Sequence, residues 1–293
     1  MTDQNDLLLK RFDQVGLLVR DIDEAAQKFE DVLGLTATVK REAQDEGYRA
    51  AIIPLRVGRI LLLQPTTDDS PLAKQLEERG EGMHHVSFHV EDVEQATEEI
   101  KGRGAEFIVH EAQQGITGKN TIISPTSTGG VPVEIKETTL FTPGTSRDIG
   151  LHHVTIRTED VGTAAATWQH LFRMPLKRRA VSEGFGMDTA WLDAGDAEVE
   201  FAQDLRDDGP VARALKLMGE GLHAVVLETD DPVAVEERVR AAGVRIIVDD
   251  GEPTNVLRAV HPLDFLGTLV LISQRDAAHA GMNRTQPAED AAH

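Results

Sequence analysis

DDSPLAKQLEERGEGMHHV, residues 68–86, returns as DDGPVARALKLMGEGLHAV, residues 207–225. Asp68 and Asp207 head the two copies, 139 residues apart. Self-similarity at a fixed period is the mark of a duplicated fold. At the same shift Gln14 faces His153, Leu61 faces Glu200 and His85 faces Ala224. The frame is repeated, but its chemically capable side chains are not. They sit in the second part of copy one and the first part of copy two.

Outward from that stretch, the copies run over 11–137 and 150–275. TTLFTPGTSRDIG (138–150) joins them, and its Pro143-Gly144 reads as a turn. Residues 276–293 lack apolar periodicity and are expected to be disordered.

Each copy contains a weaker repeat. FDQVGLLVRDIDEAAQKFEDVLGL (12–35) has the grammar of MHHVSFHVEDVEQATEEIKGRGAEF (83–107), LHHVTIRTEDVGTAAATWQHLFRM (151–174) and LHAVVLETDDPVAVEERVRAAGVRI (222–246). Alternating apolar residues open each unit and predict a half-buried strand. An acidic pair follows, where Asp suits a helix N-cap. Apolar residues at three- and four-residue spacing then predict a helix, as in Ala25, Phe29, Val32 and Leu33. Gly34, Gly104 and Gly243 fit the helix ends. Further strands are expected at AAIIPL (50–55), RILLLQP (59–65), NTIISP (120–125) and VPVEIKE (131–137). The chain therefore reads as an α+β protein of four βαβββ modules. Two such modules side by side can form a curved half-barrel with a concave pocket.

The bulk numbers narrow the class of function. With 293 residues there is enough chain for two ordinary cores. At 40% hydrophobic and 27% charged residues, a water-soluble globular protein is expected. No apolar run approaches the ~20 residues that span a bilayer, and no signal-peptide core opens the chain. A cytoplasmic location is the default. There is no cysteine, so a metal would need His, carboxylate or amide ligands. The net charge of −20 opposes partnership with nucleic acid or an anionic membrane.

The module pattern resembles the vicinal oxygen chelate superfamily, which includes glyoxalase I, methylmalonyl-CoA epimerase and extradiol dioxygenases. The residues that carry the likeness are DDSPLAKQLEERGEGMHHVSFHVEDV (68–93) and SPTSTGGVPVEIKE (124–137). In copy two they are GLHHVTI (150–156), AEVEFAQ (197–203) and GEGLHAV (219–225). The N-terminal copy is most similar to methylmalonyl-CoA epimerase. The resemblance implies two tandem glyoxalase-like domains with curved half-barrel sheets, with a small-molecule substrate as the expected partner and the protein a monomer or homodimer. It also implies that each module offers up to two metal ligands, one on its first strand and one on its last. Carried over, these positions are Gln14 and Leu61, His85 and Glu134, His153 and Glu200, and Ala224 and Leu271.

Two pairings follow. If modules pair in order, each copy has two strong ligands, with Gln14 a possible third in copy one. If module two pairs with module three, His85, Glu134, His153 and Glu200 share one cup. The remaining cup then holds Gln14 against three apolar residues. The second pairing explains the ligand swap in one step and resembles the fused glyoxalase I arrangement, so it is the expectation. A dimer that exchanges modules gives the same set. Gln14 stands where some glyoxalase I enzymes use a glutamine ligand, but without partners it is expected to be structural or vestigial. His84 and His152 should point away from the pocket. Glu198 shares a face with Glu200 and competes for its role. Glu183 lies near a position where epimerases carry a second acid/base group, with a surface role the simpler reading. Lys119 and Arg157 are expected to be solvated charges.

The resemblance implies one divalent ion, with Zn, Co, Ni, Mn and Fe(II) all compatible with a His₂Glu₂ set. The implied activity is a metal-dependent isomerase or epimerase acting through an enolate of a small carbonyl compound or acyl-CoA. Glu134 and Glu200 would exchange protons, with Glu134 the base. A glyoxalase I-type lyase, a non-haem iron dioxygenase and a non-catalytic binding or resistance protein are the alternatives.

Overall fold

Asp21, Asp92, Asp160 and Asp231 each sit where a strand hands over to a helix, and each caps that helix. The computed structural model describes residues 8–43, 47–138, 148–182, 186–249 and 257–275. Module one is β1 (Arg11–Leu18), α1 (Ile22–Leu33), β2 (Val39–Ala43), β3 (Tyr48–Pro54) and β4 (Arg59–Pro65). Helix α2 (Pro71–Arg79) leads to module two, which is β5 (Gly82–His89), α3 (Val93–Gly102), β6 (Phe107–Gly115), β7 (Gly118–Ile123) and β8 (Val133–Thr138). Module three is β9 (Gly150–Arg157), α4 (Val161–Phe172), β10 (Leu176–Ser182), β11 (Met187–Asp193) and β12 (Glu198–Asp204). Helix α5 (Pro210–Met218) precedes module four, made of β13 (Gly221–Thr229), α6 (Pro232–Ala241), β14 (Ile246–Asp249), β15 (Leu257–Val260) and β16 (Val270–Gln274). The four βαβββ modules are thus present.

The capping carboxylates accept from backbone N–H groups two or three residues on: Asp23 and Glu24 for Asp21, Gln95 for Asp92, Thr163 for Asp160 and Ala234 for Asp231. Each such cap stabilises its helix by about 1 kcal/mol. Gly34 closes α1 in the left-handed conformation, at φ 70°. Pro143-Gly144, Glu183 and the tail 276–293 lie outside the described residues.

The strands form two eight-stranded sheets, in the orders β2-β3-β4-β1-β5-β8-β7-β6 and β10-β11-β12-β9-β13-β16-β15-β14. Modules therefore pair in order, one with two and three with four. This corrects the expectation that module two shares a cup with module three. The reason lies in the ladders: β1 is bonded to β4 on one side and antiparallel to β5 on the other. β9 is held the same way between β12 and β13. The inner strands have no free edge left for an exchange between copies.

Strand alternation separates two faces of each sheet. Phe12, Val15 and Leu17 of β1 join the main core, which also takes in α1, α4 and residues of both sheets. Trp168 of α4 packs edge-on against Phe88 of module two and Phe201 of its own module. Phe29 of α1 meets Phe265 beside module four, ring centroids 4.9 Å apart. The two sheets are thus joined back to back through their helices. The opposite face of each sheet forms a cup. In the N-terminal cup, Leu18, Ala50, Ile52, Leu61, Leu63 and Leu76 make a smaller apolar cluster under α2. Among the described residues, no helix is long and apolar enough to cross a membrane.

Candidate active site

The N-terminal cup gathers its polar groups from β1, β4, β5 and β8. Gln14 on β1 donates from Nε2 to Glu134 Oε2 at 3.1 Å and lies 3.2 Å from His85 Nε2. His85 Nε2 is 3.8 Å from Glu134 Oε2. His85 Nδ1 is 2.9 Å from His84 Nδ1. With Nε2 accepting from the Gln14 amide, Nδ1 carries the proton and donates to His84. A neighbouring ring therefore fixes the tautomer, as outer groups do for metal-binding histidines. Burial, then the Lys136 charge, pushes the His85 pKa down to about 3. Burial, then His85, does the same to His84, also to about 3. Both rings are neutral at ordinary pH.

Charge in this cup is balanced from within. A bulge in β1 between Phe12 and Gln14 lets Asp13 and Gln14 both reach the polar group on β8. Lys136, fully buried, places Nζ 2.9 Å from Asp13 Oδ2, 3.1 Å from Glu134 Oε2 and 2.8 Å from Thr117 Oγ1. Arg59 donates to both oxygens of Asp13, at 2.7 and 2.8 Å. Burial alone would raise the Asp13 pKa, but Lys136 and Arg59 override it and hold the group at about 2. Two acids thus face two bases. Two buried atoms of this cup are left over: among the described residues, Gln14 Oε1 and Ser87 Oγ have no hydrogen-bond partner. Ser87 lies beside Gln14 on one side and Glu134 on the other.

This donor set fits a divalent ion. An ion about 2.0–2.2 Å from each of three N or O donors needs donors roughly 3–3.5 Å apart, close to the separations found. With an ion in place, turning the Gln14 amide over would bring its Oε1 toward His85 and Glu134 and leave the His85 tautomer unchanged. Gln14 is tied to His85 of β5 and Glu134 of β8, contacts that fit the expected structural role.

The C-terminal cup does not fit. His153 Nε2 is 3.4 Å from Glu200 Oε2, and Thr155 Oγ1 donates to the same oxygen at 2.6 Å. The remaining corners are Ala224 and Leu271. His153 packs on Trp191, centroids 4.5 Å apart, and its Nδ1 lies 2.5 Å from His152 Nδ1. Glu198 is not free to compete with Glu200. Burial would raise its pKa, but Arg178 and Lys177 hold it at about 2. So His85 and Glu134 share one cup, His153 and Glu200 the other, and the expected four-ligand site does not form.

Other expectations resolve by contact. Lys119 is an exposed charge paired with Glu94. Arg157 is not solvated: it is buried and donates to the carbonyls of Gly219, at 2.6 Å, and Leu222, bracing the turn into β13. Lys136 was legible but missed. It stands two residues after Glu134 in VPVEIKE and must share its face.

The family model described as the Glyoxalase/Bleomycin resistance protein/Dioxygenase superfamily matches residues 13–123 and 152–259. The uncharacterized protein YqjC of Bacillus subtilis is 30% identical over 130 residues, 44% of this chain and 93% of that protein. Mitochondrial methylmalonyl-CoA epimerase of Mus musculus is 30% identical over 131 residues, 44% of this chain and 74% of that enzyme. A mutant of 4-hydroxymandelate synthase from Streptomyces coelicolor superposes with a TM-score of 0.75. It covers 93% of this chain and 96% of its own at 16% identity, a likeness of fold.

Proposed function

The chain belongs to the Glyoxalase/Bleomycin resistance protein/Dioxygenase superfamily, and on that premise we propose an enzyme of proton transfer beside a carbonyl. Its working cup is the N-terminal one, and its type is epimerase or isomerase. The observation that carries this reading is the convergence of Gln14, His85 and Glu134, whose polar atoms lie 3.1, 3.2 and 3.8 Å from one another, while the other end of the amide, Gln14 Oε1, has no partner among the described residues. Kinship with methylmalonyl-CoA epimerase supports an acyl-CoA or another small carbonyl compound as substrate.

Gln14, His85 and Glu134 would hold a divalent ion, with Zn, Co, Ni, Mn and Fe(II) all suited to such a set. When bound, the ion supplies Lewis-acid polarisation of the substrate carbonyl. Glu134 takes the proton from the adjacent carbon. Of the two buried carboxylates here, Asp13 is closed off by Arg59 and Lys136, which leaves Glu134 for this work. Lys136 holds the carboxylate in place. His85, kept neutral, keeps its Nε2 lone pair directed at Gln14 and Glu134. Glu200 faces the other cup and does not meet the same substrate. Glu134 alone can shift a proton between neighbouring carbons on one face. Inversion at one carbon is completed by a solvent proton delivered to the opposite face, with the proton taken by Glu134 released to water.

The test is solvent-deuterium exchange into acyl-CoA and α-keto compounds, with the stereochemistry of the product recorded. Exchange should occur with the wild type and fall at least a hundred-fold in Glu134→Gln. Undiminished exchange in that variant, or full metal retention in His85→Ala, would sink the reading. One observation favours a second reading, a dioxygenase. Leu61 at the fourth corner leaves three donors, the number a non-haem iron oxygenase uses. Oxygen uptake without exchange would select it.

A further inference from the structure

We propose that Gly16 is a positioning residue, and that the pair it forms with His85 decides which of the two cups can hold a metal. The inference rests on the metal reading of the N-terminal cup. Gly16 on β1 lies directly across from His85 on β5. A Cβ added at Gly16 would sit 2.9 Å from His85 Nε2, and closer still to Cε1 and Nδ1. The imidazole therefore lies over the glycine, in space that any side chain would take. The backbone does not ask for glycine here, because Gly16 is not among the residues at positive φ. Its role is the space, not the conformation.

The seat aims the ring. With the imidazole over Gly16, Nε2 faces Gln14 and Glu134 while Nδ1 faces His84. A methyl group at position 16 forces the ring to tilt or swing, and both alignments are lost together.

The second copy supplies an independent observation. At the same register, Thr155 faces Ala224. The large and small partners have changed strands, which keeps the joint volume filled. The Thr155 hydroxyl bonds Glu200 Oε2 at 2.6 Å. A histidine introduced at 224 alone would meet Thr155 as a side chain at 16 would meet His85. The C-terminal cup is therefore barred from a β13 imidazole ligand by its neighbour as well as by its own alanine.

The experiment uses the full chain, with Co²⁺ as probe, and four variants: Gly16→Ala, Gly16→Thr, His85→Ala and Gly16→Thr/His85→Ala. Co²⁺ affinity and visible spectrum are titrated, and the thermal midpoint is measured without metal. Gly16→Ala should weaken Co²⁺ at least ten-fold and alter its spectrum, with circular dichroism unchanged. Gly16→Thr should lower the midpoint by roughly 5 °C. Adding His85→Ala should recover most of that loss while leaving Co²⁺ binding abolished. Wild-type affinity and spectrum in Gly16→Ala, or strictly additive thermal effects in the double variant, would overturn the proposal. A wild type that takes up no Co²⁺ overturns the metal reading and, with it, the claim that the pair selects the metal cup. The thermal cycle then still decides whether Gly16 seats His85.

Discussion

Lys136 carries a full charge into a place with no solvent, beside the carboxylate that has the most chemical work to do. Removing one member of a buried charge network typically costs about 3–5 kcal/mol. Lys136→Met should therefore lower metal-free stability by about that amount in urea unfolding. The same change removes a positive charge 3.1 Å from Glu134 Oε2, so a divalent ion should bind more tightly and restore part of the loss. Equal Co²⁺ affinity in wild type and variant would show that the ammonium does not oppose the ion. Acid sensitivity belongs to the same scale. Asp13 and Glu198 both sit at about 2, below their ordinary 3.8 and 4.5. A depressed carboxylate stabilises the fold above its unfolded pKa, and that contribution vanishes as pH falls through the folded value. Asp13 accounts for on the order of 2 kcal/mol. Thermal midpoints should be level from pH 7 to 5 and fall between roughly pH 4 and 2. A fall beginning near pH 6 would point to other groups.

Among the elements, α4 binds the two copies most visibly. Trp168 is 1% exposed, touches Phe88, Phe172 and Phe201, and donates from Nε1 to Thr128 O at 3.1 Å. Trp168→Ala should cost about 3–5 kcal/mol, read as a lower unfolding midpoint. Because Thr128 precedes β8, Glu134 should feel the change in exchange rate as well. Trp168→Phe keeps most of the packing but strands a carbonyl, and should cost about 1–2 kcal/mol. Elements were the level most open to reading from residues. The capping aspartates, the 3.6 period of α1 and the alternation in RILLLQP each mark local structure that the chain adopts. Helices α2 and α5 went unread, although Ser70-Pro71 and Gly209-Pro210 are helix starts with proline in the first turn. The choice of sheet neighbour was not legible. Local periodicity is equally satisfied by either module pairing, and the difference lies in ladders between strands some seventy residues apart, such as Gly16 with His85. The same choice sets the neighbours of Gln14, because His85 and Glu134 across the cup both come from module two.

For the whole molecule, a net charge of −20 surrounds both cups. An acyl-CoA is itself anionic, so its approach is opposed by the long-range field, and salt should relieve this. Apparent KM for such a substrate should fall several-fold between about 10 and 150 mM salt, measured with kcat monitored separately. A KM that rises over that range would indicate a locally basic mouth that outweighs the surface.

The back-to-back joining of the sheets has one more consequence. The copies meet through their outer faces, where Trp168 packs on Phe88 and Phe29 on Phe265, and through the β3–β4 turn, where the backbone N–H groups of Arg56 and Leu151 donate to Ile149 O and Val57 O. The C-terminal cup touches that seam at its rim, where Glu228 of β13 pairs with Arg56. It is a spare room sharing one wall with the working one. His153 and Glu200 already stand at two of its corners, so Thr155→Gly, Ala224→His and Leu271→Glu together would furnish the others. Such a protein would carry two centres insulated by a common apolar partition, each addressable by its own metal.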